Sequence, residues 1–303
     1  MNAIELKNIT KIFGKYKAVD SLTLGVPKGS VYGFIGPNGS GKTTTLRMIM
    51  NILYPDSGEI LVFGEPLKTA TCDNIGYMPE ERGLYKRMKV KDLLVFLGEL
   101  KNGKNIKSKV DRWLERLDLS DWANKKIETL SKGMSQKVQF IATIVSEPEL
   151  VILDEPFTGL DPVNTEIIKD GILELQKQDA TVVFSTHDMS MAEKMCDFIF
   201  MIFKGKKVLD GTLASIQDKY ANDTIRVRVM DGAAVLQNLE GVEKVNDYGQ
   251  LQELRVSADA DPHQILKTIL ERTRIRSFDI VKPSLNDIFI RIAGPEAREV
   301  QHA

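Results

Sequence analysis

The sequence predicts an α/β domain of about 220 residues followed by a smaller α+β domain. Strand-like segments interrupted by Gly and Pro begin the chain, and short apolar runs bounded by turns return after Glu149 with a helical segment between them. Such runs are typical of buried parallel strands joined by helices. The pattern changes again after Tyr220, so we place the two domains at residues 1–220 and 222–303.

The first domain reads in chain order as strands, one early helix, a helical insert and further strands. In the insert, about 84–146, apolar residues recur at three- and four-residue steps, which indicates helix faces packed on a core. The predicted strands are Ala3–Ile9, Ser21–Val26, Val31–Ile35, Ile60–Phe63, Leu150–Leu153 and Thr181–Ser185. The predicted helical stretches are Thr43–Leu53, Val90–Leu100, Val110–Leu117 and Asn164–Lys177.

The second domain begins with an alternating segment in which Ile225, Val227 and Val229 are separated by arginines, the pattern of a half-buried strand. Helix, strand, strand, helix and strand are then predicted near 232–239, 242–247, 251–256, 262–272 and 276–281. This βαββαβ order is that of a ferredoxin-like domain. We expect it to have a structural or dimer-stabilising role, with ligand sensing and partner contact as alternatives.

Composition excludes several classes of protein. The 41 basic and 42 acidic residues give a net charge of -1, which argues against a chain that coats nucleic acid or an anionic membrane. The longest apolar run is Phe198–Phe203, far below the roughly 20 residues that a membrane span needs. Cys72 and Cys196 show no metal-ligand or redox spacing, as expected in a reducing cytosol.

A glycine-rich loop between the predicted strand Val31–Ile35 and the early helix matches the pattern G-x-x-x-x-G-K-[ST]. Glycines let backbone N–H groups turn inward around a phosphate, and the following helix adds its positive dipole end. Lys42 is expected to reach the β- and γ-phosphates, and the Thr43 hydroxyl to bind Mg²⁺. A turn that merely caps a helix is the alternative. The residues assigned to the nucleotide are Gly36, Pro37, Asn38, Gly39, Ser40, Gly41, Lys42, Thr43 and Thr44.

Two acidic residues follow the apolar run Leu150–Leu153 and supply the second half of a nucleotide site. Asp154 is predicted to hold Mg²⁺ through water. Glu155 is placed to take a proton from an attacking water, a role that contributes a factor of ~10²–10⁴ to rate. Two acids that simply end a strand in solvent are the alternative, which the phosphate loop in the same chain disfavours.

The segment Leu130-Ser-Lys-Gly-Met134 resembles the signature motif, usually written LSGGQ, of the ATP-binding subunits of ABC transporters. The resemblance covers about residues 1–220 and implies a P-loop NTPase cassette with a RecA-like core, an antiparallel β subdomain and a helical subdomain. It also implies that Ser131 and Gly133 contact the γ-phosphate of ATP held by a second cassette. The active unit would then be a head-to-tail homodimer around two ATP molecules with Mg²⁺.

Three further residues match this family in its usual order. The resemblance implies that the ring of Phe13 stacks on adenine, although a core phenylalanine is an equally good interpretation. It implies that Asp161, in Thr158-Gly-Leu-Asp161-Pro162, lies in the loop that communicates between the two ATP sites. It places His187 on the γ-phosphate, so that the catalytic set is Lys42, Glu155 and His187.

Two motifs depart from the family pattern. Glu80 stands where the family has a glutamine that lines Mg²⁺ and faces the membrane partner, and Lys132 and Met134 alter the signature. A carboxylate at Glu80 would be attracted by Mg²⁺ and repelled by triphosphate. At an effective dielectric constant of 20 each effect is about 4 kcal/mol at 4 Å, so the two largely cancel. We expect Glu80 to contact metal and nucleotide and to couple them to the partner with an altered metal preference.

These departures, and the run YMPEERGLYKRM at 77–88, resemble the Nat-type sodium-export ATPase subunits and their relatives. Those relatives carry a C-terminal appendage, and Pro283–Phe289 resembles its closing element. Sodium is therefore one candidate cargo, with a peptide antibiotic, a drug and a lipid also open.

The resemblance implies an ATPase subunit, peripheral at the cytoplasmic side of the membrane, that drives export through a separate integral membrane permease. The permease is expected to dock in a groove between the Glu80 loop and the helical insert, about Leu84–Leu119. No nucleic-acid partner is expected. The alternatives are a soluble ABC ATPase that acts on ribosomes or DNA, and a regulatory nucleotide-binding module with little hydrolysis.

Overall fold

The computed structural model describes residues 1–67, 74–81, 83–101, 104–220, 224–257 and 259–294. Cys72, and Arg82 in the run 77–88, lie outside the described residues. The chain divides into two compact units, Met1–Thr212 and Leu213–Ala303. This division lies eight residues before Tyr220, where the sequence pattern changes.

The first unit contains a four-stranded antiparallel sheet in the order β2-β1-β4-β5. Its strands are β1 (Asn2–Phe13), β2 (Tyr16–Pro27), β4 (Ser57–Val62) and β5 (Glu65–Pro66). β1 and β2 are longer than predicted because they form one hairpin with paired residues out to Phe13 and Tyr16. This extension carries two aromatic side chains beyond the buried part of the sheet.

The second sheet of this unit has six strands in the order β10-β9-β3-β8-β7-β6, and only the β10–β9 pair is antiparallel. Its strands are β3 (Val31–Ile35), β6 (Ile75–Met78), β7 (Leu150–Leu153), β8 (Thr181–Thr186), β9 (Phe198–Phe203) and β10 (Lys206–Gly211). β3 and β7 are buried along their whole length, which explains their unbroken apolar sequences. Parallel strands end at one edge of the sheet, where ligands bind in open α/β folds. Gly36, Glu80, Asp154 and His187 all follow strands at that edge.

Helices cover this sheet and form the insert. They are α1 (Lys42–Ile49), α2 (Val90–Leu100), α3 (Ile106–Arg116), α4 (Lys132–Ile144), α5 (Pro162–Lys177) and α6 (Met189–Met195). The prediction that the first helix continues to Leu53 was wrong, because Asn51 adopts a left-handed conformation with φ 56° just after the helix ends. The apolar stripe of α2 is buried at Val90, Leu93 and Leu94, whereas Leu100 is 63% exposed. Packing therefore accounts for the first turns of this stripe and not for its end.

Two segments of the insert, a turn at 86–87 with the residues after it and the short 3-10 turn Ile127–Thr129 with the residues before it, are hydrogen-bonded to each other. Ile127 N donates to Met88 O and Glu128 N to Lys86 O, both at 3.0 Å. Val90 N donates in turn to Lys125 O at 3.0 Å. These backbone bonds join the chain that follows the Glu80 loop to the chain that precedes the signature motif.

The second unit contains an antiparallel sheet in the order β12-β13-β11-β14. Its elements are α7 (Leu213–Asp218), β11 (Thr224–Val229), β12 (Val242–Asp247), β13 (Gln252–Val256), α8 (Pro262–Arg272), β14 (Ile275–Ile280) and α9 (Leu285–Ala293). The helix predicted near 232–239 was wrong, since only a short 3-10 turn at Ala233–Leu236 forms there. Gly232 and Asn238 have positive φ angles and stop helix growth on both sides.

Helix α7 belongs to this second unit although it precedes Tyr220. Its Ile216 is buried, and Gln217 Nε2 donates to Pro283 O at 3.0 Å. Lys282 Nζ also forms an ion pair with Asp218. Within the described part of the chain, no helix is long and apolar enough to cross a membrane.

Candidate nucleotide-binding site

The phosphate loop joins β3 to α1, and its backbone conformation requires glycine at two positions. Gly41 has φ 111°, and a Cβ atom there would lie 2.5 Å from Ala18 O on β2. Gly36 has φ 153°, and a Cβ atom there would collide with Ile202 O on β9. The loop is therefore held between two strands at a distance that only glycine permits.

Lys42 lies inside this loop and is almost completely buried. Its Nζ donates to Gly36 O at 2.7 Å and Pro37 O at 3.2 Å, and lies 3.5 Å from Glu155 Oε1. Burial lowers the pKa of the Lys42 ammonium group, and the nearby Glu155 carboxylate opposes this effect. A cation is thus placed where a phosphate chain would lie against the loop.

Three oxygen-bearing side chains meet at the end of β7. Thr43 Oγ1 donates to Asp154 Oδ1 at 3.2 Å, and Ser185 Oγ donates to the same oxygen at 2.6 Å. Asp154 Oδ2 is buried and has no hydrogen-bond partner in the described chain. A hydroxyl and a carboxylate are the oxygen ligands that Mg²⁺ prefers, and the unpartnered Oδ2 gives such an ion or its water an acceptor. The residues present therefore fit Mg²⁺.

Glu155 is buried next to this group in an unusual backbone conformation, with φ 50°. His187 Nδ1 lies 3.0 Å from Glu155 Oε2, and Thr158 Oγ1 donates to that oxygen at 3.2 Å. Because a carboxylate only accepts hydrogen bonds, Nδ1 carries the proton in this contact. The side chain of His187 is 54% exposed, so the imidazole joins the buried carboxylate to the open side of the site.

A cavity of about 340 Å³ extends from the phosphate loop to the end of the β1–β2 hairpin. Phe13 and Tyr16 line it at one end, and Lys42, Glu80 and Glu155 line it at the other. Tyr16 Oη donates to Gly39 O at 3.1 Å, so this ring also holds the phosphate loop. Tyr16 was not among the predicted site residues. Its position opposite Phe13 across a tight hairpin could have indicated it.

The predicted signature residues and Asp161 lie elsewhere, and none of them lines this cavity. Ser131 caps α4 by accepting from Met134 N at 3.2 Å, and a Cβ at Gly133 would lie 3.2 Å from Asn164 Nδ2. Asp161 caps α5 by accepting from Asn164 N at 2.9 Å, which lowers the pKa of its carboxyl group. These residues therefore form one surface at the starts of α4 and α5, separate from the chain's own phosphate loop.

The Glu80 loop is fixed from the side of α4 by a residue that the sequence analysis also missed. Gln139 Nε2 donates to Pro79 O at 2.8 Å and Glu81 O at 3.3 Å, one on each side of the exposed Glu80. Gln139 also lines a groove of about 310 Å³ with Leu97 and Leu100. In the sequence, the only signal for Gln139 is that a polar residue stands on an otherwise apolar helix face.

Two segments match known protein families: residues 19–158 match the ABC transporter family, and residues 211–293 match the C-terminal domain of DrrA1-3-like ATP-binding proteins. The ABC transporter ATP-binding protein YhaQ of Bacillus subtilis is 39% identical over 293 residues, which cover 96% of this chain and 98% of that protein. The chain belongs to the ATP-binding subunits of ABC transporters. As an ABC cassette it binds ATP, and this family hydrolyses ATP.

Other relatives of this cassette are named for resistance or export. The linearmycin resistance ATP-binding protein LnrL of Bacillus subtilis is 30% identical, with 98% of this chain and all of that protein covered. The daunorubicin/doxorubicin resistance protein DrrA of Streptomyces peucetius is 31% identical over 97% of this chain and 93% of its own. A solved ATP-binding subunit of an ABC transporter has a TM-score of 0.67 at 27% identity, over 72% of this chain and 93% of that one. These matches support the cassette fold, and the Nat-type resemblance stays a prediction.

Proposed function

We propose that two copies of this cassette enclose two ATP molecules head to tail and that ATP hydrolysis drives export through a separate membrane permease. The convergence of Lys42, Asp154, Glu155 and His187 at the carboxyl edge of one parallel sheet carries the proposal. The four residues come from three segments that are far apart in sequence. Lys42 and Glu155 line the cavity next to the phosphate loop, while Asp154 and His187 reach it through their hydrogen bonds with Thr43 and Glu155.

Each side chain has a distinct task in the proposed reaction. Lys42 leaves Glu155 and binds the phosphates, while the loop N–H groups hold the phosphate oxygens. Mg²⁺ held by Thr43 and Asp154 would neutralise charge on the phosphates. Glu155, released from Lys42, accepts the proton of the attacking water. His187 keeps Glu155 Oε2 oriented and reaches the γ-phosphate from the exposed side.

The homodimer accounts for the position of the signature surface. Ser131, Gly133 and Asp161 lie at helix starts away from the chain's own cavity, where backbone N–H groups and the helix dipole favour an anion. In a head-to-tail pair, the partner's ATP would supply that anion. ATP would then form part of the interface, and its hydrolysis would release the pair.

The permease is proposed to dock in the groove beside Gln139. The groove is apolar at Leu84, Leu97 and Leu100, and Leu100 is exposed at the end of an otherwise packed helix face. Because Gln139 also holds both carbonyl groups that flank Glu80, a partner here would contact the loop that lines the nucleotide cavity. We propose that the cassette thereby works at the cytoplasmic side of the membrane.

The cargo is assigned by class only. Relatives of this chain are named for linearmycin resistance, for daunorubicin and doxorubicin resistance, and for Nod factor export, and these names support export as the direction of transport. Sodium export is the narrower proposal from the Nat-type resemblance. Cargo contacts belong to the permease, so the choice between an ion and an organic cargo is a property of that chain.

ATP turnover of the wild type and Glu155→Gln tests the hydrolytic part. We expect Glu155→Gln to reduce kcat by at least about 100-fold, because proton transfer by a positioned base contributes this much. Glu166→Gln is the matched control, since Glu166 is an exposed acid on α5 whose ion pair is with Lys169. Equal turnover in all three proteins would mean that Glu155 is not the base, and equally low turnover in all three would favour a regulatory binding module.

The homodimer and docking proposals have separate tests. Glu155→Gln should double in mass with ATP and Mg²⁺ but not with ADP, and adding Ser131→Arg should prevent this. A monomer under every condition would contradict the proposed homodimer.

Leu100→Arg should abolish co-purification with the permease, whereas Ile52→Arg, also at an exposed apolar residue, should retain it. Retention by both variants would place the permease elsewhere.

A further inference from the structure

Ser185 lies between the two carboxylates that the proposed function uses. Its side chain is fully buried near the end of β8. Its Oγ donates to Asp154 Oδ1 at 2.6 Å and accepts from Glu155 N at 2.8 Å. One hydroxyl group therefore binds two consecutive residues of the neighbouring strand end.

The first of these bonds orients the Asp154 carboxylate. Ser185 and Thr43 both bind Oδ1, whereas the buried Oδ2 accepts no hydrogen bond in the described chain. With one oxygen held, the other can present its lone pairs in only one direction. Carboxylates near metals are themselves oriented by hydrogen bonds, and removing such a partner typically costs 10–100-fold in metal affinity or activity.

The second bond holds Glu155 in its backbone conformation. A φ angle of 50° is uncommon for a residue other than glycine, and the surrounding structure must stabilise it. The Glu155 N–H is buried, and Ser185 Oγ is its acceptor. An alanine at position 185 would leave that N–H without this acceptor while Glu155 keeps its contacts with His187 and Thr158.

We propose that Ser185 is a positioning residue for ATP hydrolysis, whose hydroxyl directs Asp154 Oδ2 toward Mg²⁺ and holds Glu155 in line with the attacking water. This rests on the roles proposed above for Asp154 and Glu155. Ser185 is fully buried and does not line the cavity, so it would act through Asp154 and Glu155. Its removal should therefore affect the metal-dependent part of binding and the rate, and leave metal-free nucleotide binding intact.

The test compares Ser185→Ala with Ser30→Ala. Ser30 is a matched control because it is also buried and its hydroxyl donates to Pro27 O at 2.6 Å. It lies just before the start of β3, whereas the phosphate loop follows the other end of that strand. Binding of adenylyl imidodiphosphate is measured by calorimetry in EDTA and in Mg²⁺, and ATP turnover is measured in parallel. In EDTA, the Kd of Ser185→Ala for the nucleotide should lie within about twofold of the wild-type value. The increase in affinity that Mg²⁺ produces should be smaller by about 10-fold or more in Ser185→Ala, and kcat should fall 10–100-fold.

Ser185→Thr keeps the hydroxyl and should recover most of the Mg²⁺ effect. If Ser185→Ala behaves like Ser30→Ala, or weakens binding equally with and without Mg²⁺, the proposal is wrong. Should Ser185→Ala fail to fold, Ser185→Cys retains the size of the side chain with a weaker donor, and the same comparison decides. The proposed function fails differently, by absent turnover in the wild type or equal turnover in Glu155→Gln.

Discussion

Phe13 and Tyr16 both line the nucleotide cavity, and we predict that only Phe13 contributes to recognition of the adenine base. Phe13 is 47% exposed, and Lys11 Nζ lies 5.7 Å from the centre of its ring. Lys11 is fixed in turn by Tyr54 O at 2.7 Å and Asp56 Oδ1 at 3.1 Å. The ring is therefore supported on one side and available on the other.

The expected loss follows from this exposure. Stacking of a base on an aromatic side chain contributes about 1–3 kcal/mol. Because about half of Phe13 is available, we take the lower part of this range, ~1–2 kcal/mol, which corresponds to an increase in Kd for ATP of about 5- to 30-fold in Phe13→Ala. Phe13→Tyr keeps the ring and should bind ATP nearly as tightly as the wild type.

Tripolyphosphate separates base recognition from phosphate binding, since it lacks the base. Calorimetry with ATP and with tripolyphosphate should show that Phe13→Ala weakens only ATP. Tyr16→Phe loses the bond to Gly39 O and should weaken both ligands by the same factor, about 2- to 10-fold for one hydrogen bond. An equal loss of both ligands in Phe13→Ala would refute the stacking argument.

Three further predictions concern the phosphate loop, the Glu80 loop and the start of α5. Gly41→Ala forces the loop away from Ala18 O, so the Kd for ATP should rise more than about 100-fold. The control Gly29→Ala, at a residue with φ 73° and no close neighbour, should lower only the melting temperature. Unchanged ATP binding in Gly41→Ala would contradict this. Glu80→Gln removes a carboxylate from the cavity and should change ATP turnover and its Mg²⁺ and Mn²⁺ dependence; kinetics and transport identical to wild type would refute this role. Hydrogen bonds from Asn164 hold the pKa of the Asp161 carboxyl group below its usual value of 3.8. The charged carboxylate therefore stabilises the fold above pH 3.8, and this stabilisation is lost as the pH falls through the lowered pKa. In urea unfolding between pH 3 and 6, Asp161→Asn should therefore show a shallower acid decline, and an unchanged slope would argue against this cap.

Local sequence patterns predicted the parts of the fold and site that depend on near neighbours. The buried runs at β3 and β7 are strands as predicted, and in the predicted helical insert the apolar residues Val138 and Ile141 of α4 are buried. The 3-10 turn at Ala233–Leu236 was missed because helix propensity in four residues could not overcome the turn residues around it.

Contacts between distant residues could not be predicted in the same way. Tyr16 meets Gly39 across 23 residues, and Ser185 meets Asp154 across 31. Gln139 meets Pro79 across 60 residues. Serine, tyrosine and glutamine occur on many surfaces, so their identity alone indicates no partner. Only the alignment of β7 and β8 in one parallel sheet brings Ser185 to the two carboxylates.

The hydrogen-bonded segments around Met88 and Ile127 have a mechanical consequence. They tie the chain leaving the Glu80 loop to the chain entering the signature motif, with bonds of 3.0 Å on both sides of Met88. Segments joined in this way should resist sliding past each other, so we expect a push at the groove to displace both segments together. The insert would then act as a stiff connection between the groove and the surface that is proposed to close on a second cassette's ATP.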